Sequence, residues 1–400
     1  MKCAFTHANV IDVLEHRLIE DCAILTEDGK ITQILSGGTA PANYSEVDLT
    51  GKYLAPGLFN CHVHSMVCFA PDGTNLWGDT VFHTLSALEN LQSYVRSGVV
   101  FVRDVGGGSD SIPIELKKAI DSGRIINAPD MQVCGQPICM TGGTTWQFIG
   151  YQADGEDGVR TAARLMLRRG ANLIKLMGTG GVVTPGNKIE APHLNEKELR
   201  AAVEEAHNAG VRATCHVHNN TGALNAIRAG VDCLEHGTAL SDEAIQMMVK
   251  KGIYLDATLA ATYSIIRSSK NEEFTRKAKV AASTAVDTFR RAHAAGVRCV
   301  SGTDCGTEGC FHTESALELV LMVEQGGVDP FEAFAIATIN SAEICDVADR
   351  LGSVSVGKDA SFAVFDQNPI ADIHAAQDCV MTIKNGRIIW EKETGFSSPL

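Results

Sequence analysis

No apolar run in the 400 residues is long enough to span a bilayer, which excludes an ordinary membrane-spanning helix. Positive charge is in short supply: 34 Lys and Arg stand against 48 Asp and Glu, a net charge of −14. Nucleic acid and anionic membranes both select a basic face, so neither is expected as a partner. The first residues, Met1-Lys2-Cys3-Ala4-Phe5-Thr6-His7, lack the charged, apolar and cleavage regions of a secretory signal. No Cys-x-x-Cys occurs, and the 13 cysteines are odd in number and scattered. That pattern fits reduced thiols in a cytoplasm better than a disulfide framework, with most cysteines acting as small buried apolar residues. No Gly-x-Gly-x-x-Gly follows the first strand, so a dinucleotide site is not expected.

What is present is enough for a sizeable core, since 45% of residues are hydrophobic. The length allows two or three average domains, or one large barrel with an appendage. Both ends read as β. Ala4 to Val13, Cys22 to Thr26 and Ile31 to Leu35 are apolar or alternating runs, with a hairpin signal at Glu27-Asp28-Gly29-Lys30. Ser361 to Phe365, Val380 to Ile383 and Ile388 to Trp390 repeat the pattern, with a turn at Lys384-Asn385-Gly386-Arg387. One β-sandwich built from both termini is the simplest reading; two separate β appendages are the alternative.

The middle has a rhythm in which a helical stretch ends in Gly and a short apolar strand follows. It occurs at Gly98, Gly170, Gly210, Gly230, Gly252 and Gly296. Glycine takes the left-handed conformation that stops a helix, and continuously apolar strands are those buried on both faces. With Leu54–Phe59 and Met131–Cys134 the strands number eight, which predicts an α/β fold of the (β/α)8 TIM-barrel kind. An open doubly wound sheet is the runner-up. The expected domains are a β-sandwich of residues 1–53 plus 355–400 and a barrel of residues 54–354.

The stretch Asn60-Cys61-His62-Val63-His64 ends the first of these strands. Side chains alternate along a strand, so His62 and His64 point the same way and both can reach one metal ion. A lone His-x-His is a weak signal. It gains weight because later strands end in Lys175, in His216 and His218, in Glu235-His236 and in Asp304, where barrel enzymes place their chemistry. A single His or Asp there is more often a hydrogen-bonded structural group; six at equivalent places are hard to ascribe to chance. Arg103 and Asp104, at the end of the second strand, read as a structural pair. Lys175 stands out, because an ammonium beside cations is disfavoured by like charge and by desolvation. Its neutral amine could take up carbon dioxide to give an anionic carbamate able to bridge two metals. An ordinary salt-bridging lysine is the alternative.

These residues and the text around them resemble the amidohydrolase superfamily of metal-dependent hydrolases over nearly the whole chain. That family carries His-x-His on strand 1, a carboxylated Lys on strand 4, His on strands 5 and 6, and Asp on strand 8. The matching positions are His62, His64, Lys175, His216, His236 and Asp304. Ala171-Asn172-Leu173-Ile174-Lys175 with Gly178-Thr179-Gly180-Gly181 is similar to the branch of Xaa-Pro and Xaa-Arg/Lys dipeptidases, arginine carboxypeptidases and imidazolonepropionase relatives. So are Ala229-Gly230-Val231-Asp232 with Glu235-His236-Gly237, Gly302-Thr303-Asp304, Ala337-Thr338-Ile339-Asn340 and Gly357-Lys358-Asp359-Ala360.

The resemblance implies two divalent metal ions, zinc by default. His62, His64 and Asp304 would hold the more buried ion, His216 and His236 the second, and N6-carboxylysine at Lys175 would bridge them. It implies amide hydrolysis by metal-activated hydroxide, with Asp304 moving the proton, and a homo-oligomer. His218 would orient substrate or serve structure. Tyr263 would hydrogen-bond the oxyanion or a substrate carboxylate, or be a loop tyrosine. Peptidase members commonly carry His after Gly142-Gly143; Thr144 departs from this, and Trp146 points to a more apolar pocket. A dipeptide or N-acyl amino acid is the first substrate reading. A cyclic or other small non-peptide amide, as in imidazolone-type relatives, is the alternative. A deaminase is disfavoured by the bridging lysine and by the lack of a His-x-x-Glu-type acid. An inactive scaffold is disfavoured because all six ligands are retained.

Overall fold

Two hairpin turns frame the chain. Asp28-Gly29 joins Arg17–Glu27 to Lys30–Ser36, and Asn385-Gly386 joins Cys379–Lys384 to Arg387–Glu391. All four central residues have positive φ (48° and 81°; 51° and 72°), the mirror-image turn that matches strand twist and that Asp-Gly and Asn-Gly favour. The computed structural model describes residues 2–67, 80–108 and 112–396. Within them the terminal strands form one nine-stranded sheet, not two appendages. Tyr53–Pro56 is the join, parallel to Lys2–Asp12 on one side and antiparallel to Phe362–Phe365 on the other. Phe5 and Phe362, both fully buried, meet edge to face at 5.7 Å in its core.

The apolar run Leu54–Phe59, read from sequence as one strand, is divided. Tyr53–Pro56 belongs to the terminal sheet, and Leu58–Val63 is the first parallel strand. The break falls at Gly57, where the backbone lies so close to Val100 that a Cβ would collide with it.

The other parallel strands follow in the order expected: Val99–Asp104, Asp130–Val133, Leu173–Met177, Arg212–Val217, Cys233–His236, Tyr254–Asp256 and Cys299–Val300. Two short strands not foreseen, Ile138–Cys139 and Tyr151–Gln152, lie beside the fourth. The first three strands form one sheet and the last five, with the short pair, another. Backbone hydrogen bonds join the two sheets at both edges: Asn172 to Val133 (2.9 Å), Cys61 to Ser301 (2.7 Å) and Asp304 to His62 (2.8 Å). The glycine stops hold as well. Gly170 (φ 108°) and Gly230 (φ 95°) cap their helices in the left-handed region, and the other four also have positive φ.

Register places chemistry on one face. Leu176, Cys215, Leu234, Leu255 and Cys299 lie abreast and enter the apolar core beneath the helices. The next row, Met177, His216, Glu235 and Asp256, points the other way, as the two-residue period requires. The wall of the site after the seventh strand is the helix Leu259–Ser268. Its first residue follows Thr258, which has a left-handed φ of 45° and makes no side-chain cap. The cap comes from elsewhere: fully buried Glu318 accepts the Leu259 and Ala260 N–H groups at 2.9 and 2.8 Å.

Burial pushes the Glu318 carboxyl from its ordinary value of 4.5 to about 8. Between those values the folded chain keeps a proton that the unfolded chain releases, so its contribution to stability falls as pH rises through that window. Glu318→Gln, which cannot titrate, is expected to flatten this slope. Urea-unfolding midpoints at about pH 5 and about pH 8, parent beside variant, check it.

Candidate metal centre

Two histidines one residue apart converge on one carboxylate. His62 Nε2 is 3.4 Å and His64 Nε2 3.1 Å from Asp304 Oδ1. The far nitrogen of each ring has a partner: His62 Nδ1 lies 2.7 Å from Glu235 Oε2, and His64 Nδ1 lies 3.2 Å from the Gly106 carbonyl. Both partners are acceptors, so each Nδ1 can donate, and Nε2 is the ring atom turned toward Asp304, the arrangement a metal-binding histidine uses.

His216, His218 and His236 form the other half, with ring centroids 4.6 to 4.7 Å apart. Their ligand atoms fall within 4.8 Å of one another, as do those of His62, His236 and Asp304. Burial holds the His62, His216 and His236 imidazoles well below their usual pKa, and His218 down to about 3. These rings are therefore neutral, the form that binds cations.

Glu235 and His236 are neighbours in sequence, and in a regular strand they would face opposite ways. Both serve the site because His236 has a φ of 66° and its Nδ1 meets the Thr258 hydroxyl at 2.6 Å. Asp304 likewise has a φ of 60°. Non-glycine residues in this region are uncommon, and here they sit where strand ends turn side chains into the cavity. Gly302 allows the close approach beneath: a Cβ there would strike the Asp256 carboxylate and come within 2.6 Å of His62 Cβ.

Lys175 is 1% exposed, and its Nζ has no hydrogen-bond partner. It lines the same cavity as the five histidines and Asp304. About 50 Å³ of that cavity is open to the centres of water molecules, within about 630 Å³ that protein atoms leave unfilled and that opens partly to solvent. A buried ammonium without an acceptor is costly. An anionic form of this side chain would suit cations held by the neighbouring imidazoles. The donor set of imidazole and carboxylate suits zinc among divalent ions. These residues fit a pair of bound cations.

Several readings from sequence land differently. Arg103 and Asp104 do not pair with each other. Arg103 donates to Glu235 (2.8 Å), Asp256 (3.3 Å) and the Cys61 carbonyl (2.6 Å), whereas Asp104 accepts from Ser65 and the Gly106 N–H. Successive residues of a strand face opposite ways, which separates them. Thr144 lines the cavity; Trp146 does not and is 42% exposed. Tyr263 is not among the lining residues either. Its helix turns Ala261, Thr262 and Ile265 to the cavity, leaving Tyr263 41% exposed beneath Arg267. Cys61, Cys215 and Cys305 are buried and do not line the cavity.

Glu235, beside His236 in the sequence, is the residue of this cluster to which sequence reasoning gave no role. Its carboxylate receives His62, Arg103 and the Thr214 hydroxyl. Glu235→Gln is expected to weaken metal affinity about 10- to 100-fold while the fold persists. Competition against a chelating dye, alongside a thermal melt, checks both parts.

A family model described as the amidohydrolase family matches residues 53–389. An ochratoxinase from Aspergillus niger is 29% identical over 381 residues, covering 84% of this chain and 77% of its own. An imidazolonepropionase from Geobacillus sp. is 22% identical, covering 94% and 91%. Among solved structures, a Xaa-Pro dipeptidase with methionine bound in its active site superposes with a TM-score of 0.90 at 28% identity, over 98% of this chain and 100% of its own. Among the described residues, no helix is long and apolar enough to cross a membrane.

Proposed function

We propose that this chain, which belongs to the amidohydrolase family and is a metal-dependent hydrolase of C–N bonds, cleaves the amide bond of a small molecule at a two-metal centre. In this reading the parallel strands close into a (β/α)8 barrel, and the centre lies at its open end. His62, His64 and Asp304 would hold one ion, His216 and His236 the other, and carboxylated Lys175 both. The observation that carries the reading is Lys175 itself, buried and unpaired in the cavity these residues line. Two such ions would lower the pKa of an attacking water toward neutrality and polarise the scissile carbonyl.

The chain's own residues supply the rest. Asp304 Oδ1, set between the His62 and His64 rings, takes the proton of the attacking water and passes it to the leaving nitrogen. His218, its Nδ1 at 3.3 Å from the Thr238 hydroxyl, presents Nε2 to the cavity and orients the substrate. Met177, Val182, Val183, Ala261 and Ile265 on the wall lower the local dielectric and so strengthen these interactions.

A panel of amides tests the reading, with amine release followed before and after chelation. Release that stops on chelation and returns with zinc is expected. An absence of metal-dependent amide cleavage across dipeptides, N-acyl amino acids, lactams and simple amides would overturn it.

A further inference from the structure

The substrates open to this centre divide by charge. A dipeptide or N-acyl amino acid brings a carboxylate next to the scissile bond; a lactam or simple amide does not. A carboxylate held in a small cavity needs a cationic side chain or several free donors. Among the described residues the wall offers neither. Every lysine and arginine of the chain lies within the described residues, and none but Lys175 lines the cavity. Arg103 lies beneath and is held by Glu235 and Asp256. Lys277 is tied to the Thr184 carbonyl and Glu273, and Arg267 to Glu314.

Of the hydroxyls on the described wall that might replace a cation, five donate to protein carbonyls and the sixth, Thr258, lies 2.6 Å from His236 Nδ1. Thr144 donates to the Thr179 carbonyl (2.8 Å), Thr145 to its neighbour Thr144 (2.6 Å), and Thr238 to His218 (3.2 Å). Thr262 donates to Leu259 (3.4 Å) and Thr307 to Asp304 (2.9 Å). Because Thr238 spends its proton on the His218 carbonyl, it accepts from His218 Nδ1, and His218 Nε2 is left an acceptor. The rest of the described wall is largely apolar, with Met177, Val182, Val183, Ala257, Ala261 and Ile265. A net charge of −14 adds no attraction for an anion.

We infer that the group flanking the scissile amide is uncharged and apolar, so that the substrate is a small neutral amide without a free carboxylate. This rests on the amide-hydrolase reading above. The test is a matched pair that differs by one carboxylate: N-acetylphenylalanine and N-phenethylacetamide, offered to zinc-loaded enzyme. The neutral amide is expected to have the higher kcat/KM by about tenfold or more. Equal or faster turnover of the acid would overturn the inference. If neither is cleaved, the amide-hydrolase reading fails for both, and calorimetric binding decides the present point separately. Tighter binding of the neutral compound supports it; tighter binding of the acid, or no binding of either, overturns it.

Discussion

Lys175→Ala is expected to lose both activity, by roughly a thousandfold or more, and bound metal. The position explains why. Lys175 lies opposite Thr214 in the register of the fourth and fifth strands, 1% exposed, with no acceptor for its Nζ. As a plain ammonium it would be an unpaired buried charge, and its removal would stabilise the protein. As a carbamate it is the anion that two cations require. The two accounts predict opposite results. If the carbamate is real, the alanine variant keeps its fold but binds little metal, and short carboxylic acids, which can enter the vacated space, restore part of the activity. If Lys175 is an ordinary amine, the variant keeps its metal and its rate, and no acid changes either. Metal content and initial rates with and without acetate or propionate separate them.

Asp304→Asn is the second large effect. The carboxylate is approached by two imidazole Nε2 atoms at 3.1 and 3.4 Å, and its backbone N–H is fixed to the His62 carbonyl at 2.8 Å. An amide at this position keeps the shape but cannot accept and return a proton. A fall in kcat of about 10²- to 10⁴-fold is expected, the range for a lost general acid–base group. KM should move much less. The left-handed φ of 60° is tolerated by Asn as well as Asp, so the fold should survive. A near-normal kcat would remove Asp304 as the proton carrier.

How much of this was legible beforehand depends on the kind of signal. Local chemistry showed in the letters: Asp28-Gly29 and Asn385-Gly386 as turns, and glycines that stop helices. His62 and His64 sit on one side because strands alternate. The convergence of His62, His64, Lys175, His216, His236 and Asp304 on one cavity was legible because several strands each ended in a ligand-type residue. What stayed hidden depends on contacts distant in sequence or on single backbone angles. Nothing in Leu54–Phe59 reveals that Gly57 must pass close to Val100 and so divides the run between two sheets. Nothing in Glu235-His236 reveals that a φ of 66° brings both side chains to one place. Arg103 was assigned to its neighbour Asp104, yet it reaches Glu235 and Asp256, more than a hundred residues away. Tyr263 followed the right strand, but helical geometry turned the residues on either side of it differently.

The most direct measurement is the metal content of the purified chain after loading with zinc in the presence of carbon dioxide. The account predicts about two ions per chain, falling to near none in Lys175→Ala. A wild-type chain that binds no metal, or one whose two ions survive that substitution, would contradict it.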